Sequence, residues 1–144
     1  MWRRVNNLVN SLITYQTLSP DSRCRRQVSQ WLQQRHPLTS KQWFEAFWQT
    51  ENILEITTDF VYHAFSSYSG LPFAYVIPED RLEEDLCWTN VCWFDWEMTF
   101  FLDVETQFQM DISGHFHYEK TTTIAEIVHF LDQHIRLRKG HSTN

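Results

Sequence analysis

Cysteine and histidine side chains are the groups in this sequence that could act as a nucleophile and a base. Cys92 is the candidate nucleophile, and His63 and His129 are the candidate bases. Thiol catalysis needs a thiolate, a base within hydrogen-bond reach and a group that orients the base. The sequence places neither histidine beside Cys92, and Trp88 and Trp93 make its surroundings apolar. Because apolar burial raises the pKa of a thiol, the pattern favours a buried structural cysteine.

Metal binding is the second kind of chemistry that the histidines could support. His115 and His117 would share one face of a strand, where an acidic residue of the same segment could complete a site. The motif Glu126-x-x-His129 is typical of di-metal carboxylate proteins, but such a site needs two copies on separate helices and this chain has one. Exposed histidines explain both patterns. We therefore expect no metal site, no cofactor and no catalytic residue.

The cysteine count bears on the redox compartment. Cys24, Cys87 and Cys92 are an odd number without dense spacing, which does not form a disulfide framework or a zinc site. The first residues are too polar for the apolar region of a signal peptide, and no apolar run approaches 18 residues. These observations predict a reduced, cytoplasmic protein without a membrane span.

Charge is strongly segregated along the chain. Residues 1–41 carry seven basic residues and one acidic residue, a net charge of +6, whereas residues 42–135 carry seventeen acids and two basic residues, a net charge of −15. A basic arm and an acidic body attract each other within one molecule or between two copies, so a homodimer through the basic N-terminal arm is among the expected partners. The acidic body would repel phosphates, which argues against nucleic acid.

Scarce glycine and proline, together with periodic apolar residues, predict an all-α protein. Ser19 is the predicted N-cap of the second helix, and Thr39 or Ser40 that of the third. Leu82 and Leu86 are the predicted anchors of a long connection. Helices are expected at about residues 1–17, 20–35, 40–48, 51–67, 93–109 and 122–136, in two domains: a basic N-terminal helical extension (1–50) and a helical bundle (51–144).

Four motifs follow one another in the second half of the chain. They are helix 51–67, the long connection ending in Leu82-Glu83-Glu84-Asp85-Leu86, helix 93–109 with Glu105-Thr106-Gln107-Phe108, and Thr121-Thr122-Thr123-Ile124 at the start of the last helix. Their order resembles that of the acyl carrier protein family, in which a helix, a long loop with "xLxxDL", an "ExxF" motif and a "TT/TI" helix start succeed one another. The resemblance covers about residues 51–136 and implies an acyl-carrier-like four-helix bundle.

The sequence departs from that family at the attachment point of the prosthetic group. In a carrier, a serine that follows the aspartate takes the phosphopantetheine arm. Here Asp85-Leu86 is followed by Cys87-Trp88-Thr89, so no serine is present and Thr89 is the nearest hydroxyl. The resemblance is to serine-lacking bacterial carrier-like proteins, and it implies the fold without the carrier activity.

Helix 93–109 carries two adjacent apolar stripes. On a helical wheel, one stripe contains Phe94, Met98, Phe101 and Phe108, and the other contains Trp93, Trp96, Phe100 and Val104. Together they span roughly 200°, wider than the roughly 100° that a half-buried helix needs. One interpretation is that the N-terminal helices cover the second stripe, so that the whole arc is core. The other is that the second stripe binds a partner, because exposed aromatic patches usually mark interfaces.

We expect a non-enzymatic protein-interaction module with a carrier-like fold, aromatic-rich and directed at an unknown protein partner. The predicted partner-binding residues are three aromatics and four flanking acids: Trp93, Trp96, Phe100, Glu84, Asp85, Asp95 and Asp103. Three alternatives remain open. They are an atypical acyl or peptidyl carrier modified at another hydroxyl, a small acidic inhibitor protein, and a small cysteine or metal enzyme.

Overall fold

The computed structural model describes residues 19–142, with side chains up to residue 140. This part of the chain contains six α-helices and no β-strand. The helices are α1 (Ser22–Leu32), α2 (Ser40–Phe47), α3 (Glu55–Ser69), α4 (Trp88–Val91), α5 (Trp96–Phe108) and α6 (Ile124–Ser142). Three single 3-10 turns lie between them, at Gln49–Glu51, Phe73–Tyr75 and Tyr118–Lys120. The all-α class is confirmed, and the helix predicted over 1–17 lies outside the described residues.

Local capping decides where the first two described helices begin. Asp21, rather than the predicted Ser19, caps α1, because its carboxylate accepts two backbone N–H groups of the first turn and carries a negative charge at the positive end of the helix dipole. Thr39 caps α2 as predicted. Its hydroxyl accepts from the backbone N–H of Gln42 at 3.2 Å, and the Gln42 side chain accepts from the backbone N–H of Thr39 at 3.0 Å.

Helix α3 begins four residues later than predicted because its cap comes from another helix. Leu54 provides no side-chain cap, and Asp132 of α6 accepts instead from the Leu54 backbone N–H at 3.0 Å and from the Thr57 hydroxyl at 2.8 Å. Asp132 is buried, and Arg136 donates to its second oxygen at 2.8 Å. This arrangement satisfies the backbone N–H of Leu54 and the hydroxyl of Thr57, and it ties the start of α3 to α6.

One hydrophobic core includes side chains from all six helices. Phe65 of α3 lies near its centre, with its ring centroid 5.1 Å from that of Phe100 and 5.5 Å from that of Trp88. The core contains Val28 and Leu32 of α1 and Trp43 of α2 beside residues of α3 to α6. Within the described residues, the helices of the predicted extension therefore share their core with the predicted bundle.

The long connection between α3 and α4 is anchored as expected. Leu82 and Leu86 are both fully buried, and the backbone N–H of Leu82 donates to the carbonyl of Thr122 at 2.8 Å. A second anchor is an ion pair, in which Arg35 donates to both oxygens of the buried Asp80 at 2.7 and 2.9 Å. The connection is thus held from both sides, by α6 and by the end of α1.

Asp80→Ala should lower the free energy of unfolding by about 2–4 kcal/mol. Removing one partner of a buried ion pair costs about 3–5 kcal/mol, and the quarter of the Arg35 side chain that stays exposed lets water offset part of that cost. Asp80 also accepts from the backbone N–H of Ile77 at 2.9 Å, which alanine cannot replace. Urea unfolding measures the effect. In a double-mutant cycle with Arg35→Met, purely additive losses would contradict the pairing.

Among the described residues, no helix combines the length with the apolar character that a membrane span requires.

Candidate functional site

Helix α5 buries one of its two apolar stripes. Trp96 and Phe100 are 6% and 0% exposed. Their rings pack on aromatic side chains of α3 and α4, with centroids 5.7 Å apart for Trp96 and Trp88 and 5.1 Å for Phe100 and Phe65. The prediction that Trp96 and Phe100 contact a partner is therefore corrected, because side chains enclosed in the core offer a partner no surface.

The other stripe is exposed only in part, because Phe101 and Phe108 pack against the core. Phe94, Met98 and Leu102 are 64%, 66% and 57% exposed. Met98 and Leu102, four residues apart, lie on one side of α5, and Phe94 lies in the turn just before the helix. We call these three residues the exposed row. Trp93, the third predicted aromatic contact, is partly exposed and lies directly before this row. The second predicted stripe is thus buried except for Trp93, whereas only Phe94 and Met98 of the first are exposed. Leu102 was not singled out from the sequence.

Two of the predicted acidic residues belong to α5. Asp95 is exposed at the start of the helix. Asp103 is half-buried and accepts a hydrogen bond of 2.5 Å from the hydroxyl of Tyr68 on α3. Burial, and then this hydrogen bond to Asp103, raises the pKa of Tyr68 far above its ordinary value, so the phenol remains a donor. Asp103 therefore joins α5 to α3 at the border of the exposed surface.

The other two predicted acids lie in the long connection and share one cation. Arg81 forms an ion pair with Glu84 and donates to Asp85 from its backbone at 2.8 Å and from its side chain at 3.1 Å. The hydrogen bond from Arg81 lowers the pKa of Asp85 below its ordinary value. These charges stabilise the turn that precedes α4, whereas Asp95 and Asp103 flank the exposed row.

An open groove of about 350 Å³ runs between α3 and α5. Asp59 and Asp103 lie on opposite sides of it, and His63 Nε2 is 3.3 Å from Asp59 Oδ1. The groove is lined by Asp59, Phe60, His63, Ala64, Asp103, Thr106 and Gln107. Two carboxylates beside apolar walls suit a basic side chain with an aliphatic stem, such as lysine or arginine.

The candidate thiol chemistry is not assembled. Cys92 is buried, as expected, and that burial raises the pKa of its thiol. Of the two candidate bases, His63 pairs with Asp59 in the groove and His129 lies 3.2 Å from Glu51. Within residues 19–142, no three His, Cys, Asp or Glu side chains come together in a way that could hold a metal ion.

Thr89, the hydroxyl nearest to the position of the missing serine, lies exposed in the first turn of α4. Its hydroxyl donates to Glu83, and its backbone N–H donates to Glu83 Oε1 at 3.1 Å. The hydroxyl of Tyr118 donates to the same carboxylate. Glu83 therefore serves as the cap of α4 and joins that helix to the turn before α6.

Outside the part that is packed in the core, α5 presents exposed apolar side chains, lines a groove with α3 and carries carboxylates. Such a surface can bind a helix that carries apolar residues flanked by basic ones. No family model, no curated protein and no solved structure matches this chain.

Proposed function

We propose that this protein is a non-enzymatic protein-interaction module with a carrier-like bundle, and that the exposed row of α5 is its binding surface. The observation that carries the proposal is the exposure of Met98 and Leu102 on α5 and of Phe94 in the turn before it, all more than half accessible, beside a helix whose Trp96, Phe100 and Val104 are buried. The core does not need these three side chains. Large apolar groups gathered on one face usually mark an interface.

The geometry of the row supports a helical partner. Met98 and Leu102 are about 6 Å apart along the axis of α5, about one turn, and Phe94 precedes the helix. A partner helix would bury the row with its own apolar residues at positions i, i+3, i+4 and i+7. Burial of a side chain such as Phe94 or Leu102 contributes about 1.5–3 kcal/mol, so three of them could supply the central contacts of an interface.

The charges around the row support a basic partner. Asp95 and Glu105 lie exposed on α5, and Asp59 and Asp103 border the adjacent groove. The segment 42–135 to which they belong carries a net charge of −15. Lysine or arginine residues beside the apolar face of a partner would meet these carboxylates, and the encounter would be faster at low ionic strength.

The proposed carrier-like scaffold rests on the order of the motifs and on two packing features. Leu82 and Leu86, the apolar residues of the "xLxxDL" motif, are both buried, and Ile124, the last residue of the "TTTI" motif, is the first residue of α6 and is also buried. A protein that keeps these anchors and lacks the serine would retain the docking role of a carrier without its cargo. The homodimer through the basic N-terminal arm stays a prediction, because residues 1–18 lie outside the described range.

Met98→Gln combined with Leu102→Gln should abolish partner binding and leave the fold intact. Glutamine is a good helix former and keeps the net charge, and both positions are exposed. Partners captured by the wild-type chain from its source cells are identified by mass spectrometry, and their affinity is then measured by calorimetry. We expect the affinity to fall at least tenfold, while the circular dichroism spectrum stays unchanged.

The matched control is Leu137→Gln, which changes a similarly exposed leucine on α6. It should bind the partner as well as the wild type does. Equal binding by the double variant, or equal loss with Leu137→Gln, would contradict the assignment of the surface to α5. Sedimentation velocity shows whether the bound partner is a second copy of the same chain.

An atypical carrier is the second candidate function, favoured by the exposed hydroxyl of Thr89 after Asp85-Leu86. Co-expression with a phosphopantetheinyl transferase of broad specificity distinguishes the carrier from the interaction module. Attachment of the arm would add about 340 Da to the intact mass and would be lost in Thr89→Val. If the intact mass of the wild type did not change, the carrier function would be excluded and the interaction module would remain.

A further inference from the structure

Two cysteines that are far apart in the sequence meet where α1 packs on α4. Cys24 lies in the first turn of α1, and Cys87 is the residue before α4. Hydrogen bonds hold this helix contact on both sides of Cys24 in the sequence. The backbone N–H of Asp21 donates to the carbonyl of Asn90 at 2.8 Å, and Arg25 Nε donates to the carbonyl of Val91 at 2.7 Å.

The two thiols lie at this helix contact and are both partly accessible. Cys24 and Cys87 are free cysteines of intermediate exposure. Burial, and then the neighbouring Cys24 side chain, raises the pKa of the Cys87 thiol. An oxidant can therefore reach a site at which a second thiol is already in place.

We propose that Cys24 and Cys87 form a redox-active thiol pair, which a small-molecule disulfide of the glutathione class oxidises to an intramolecular disulfide. In the first step, the sulfur of one cysteine, having given up its proton, attacks the oxidant, forms a mixed disulfide and releases one reduced thiol. In the second step, the other cysteine attacks its partner's sulfur, closes the intramolecular bond and releases the second reduced thiol. The protein loses two electrons and two protons, and the oxidant gains them.

Two features decide which thiols the oxidant reaches: the charge around Cys24 and the burial of the third cysteine. Arg23, Arg25 and Arg26 surround Cys24 in the sequence and attract an anionic disulfide such as oxidised glutathione. Cys92 is buried, so an oxidant cannot reach it in the folded protein. The third thiol therefore serves as an internal control.

Closing this bond would covalently join α1 to the long connection. The bond would close a loop that contains α2, α3 and most of the connection. A cross-link over so long a loop removes much of the conformational freedom of the unfolded chain. Oxidation would therefore stabilise the protein and keep the start of α1 against α4.

The test uses the full chain incubated with oxidised glutathione under native conditions. We expect the intact mass to fall by about 2 Da, the number of titratable thiols to drop from three to one, and peptide mapping to find Cys24 joined to Cys87. The melting temperature should rise by about 5–15 °C and return to its starting value with dithiothreitol.

Matched variants isolate the pair. Cys92→Ala should react as the wild type does, whereas Cys24→Ser and Cys87→Ser should each stop at a mixed disulfide that adds about 305 Da. Three free thiols after incubation, a disulfide that includes Cys92, or cross-linked dimers in place of the intramolecular bond would overturn the proposal. None of these results depends on the surface of α5.

Discussion

Trp96→Ala should lower the free energy of unfolding by about 3–5 kcal/mol. Trp96 is the residue at which the two interpretations of the aromatic helix differ most. Its ring packs edge-on against Trp88 and Tyr118, with centroids 5.7 and 5.2 Å away, so truncation would open a large cavity in the core. The measurement is equilibrium unfolding in urea, followed by tryptophan fluorescence and circular dichroism together.

The control for this prediction is Met98→Ala, two residues along the same helix but exposed. It should change the stability by less than about 0.5 kcal/mol. If Trp96→Ala instead left the stability unchanged while partner binding was lost, Trp96 would be a surface contact and its placement in the core would be wrong. The contrast between positions 96 and 98 therefore tests which face of α5 points inward.

Leu86→Ala should lower the free energy of unfolding by about 2–5 kcal/mol. Leu86 is fully buried and, with Leu82, holds the long connection against the core. Alanine removes the contacts of the isobutyl group and leaves a cavity that the surrounding helices can fill only in part. Because the connection also carries Asp80 and the turn before α4, loosening it should reduce the cooperativity of unfolding, seen as a smaller denaturant slope.

Leu137→Ala is the matched control, since it makes the same change at an exposed position of α6. Its effect should stay within about 0.5 kcal/mol. A loss for Leu86→Ala as small as that for Leu137→Ala would show that the connection is not docked on the core.

Features that depend on neighbouring residues could be predicted well. The helical class, a helix cap at Thr39 or Ser40 and the buried anchors Leu82 and Leu86 all follow from short-range patterns and agree with the structure. The burial of Cys92 also follows, because the tryptophans beside it in the sequence already make its surroundings apolar. Each of these rests on chemistry within a few positions along the chain.

Helix boundaries that depend on distant residues could not be predicted. Helix α3 starts at Glu55 because Asp132, from the far end of the chain, supplies the acceptor for its first turn. Nothing in the sequence around residue 55 indicates that partner. The redox pair proposed here has the same origin, since Cys24 and Cys87 meet only where α1 packs on α4.

The amino-acid order decided that this chain is helical, rich in aromatic side chains and divided into basic and acidic stretches, because propensity, periodicity and charge are properties of residues and their near neighbours. It did not decide which apolar stripe of α5 faces the core. Both stripes have the helical period, and only the packing of Trp96 and Phe100 against Phe65 and Trp88 selects one. The choice leaves Met98 and its neighbours at the surface, and the proposed binding site is a consequence of that long-range contact.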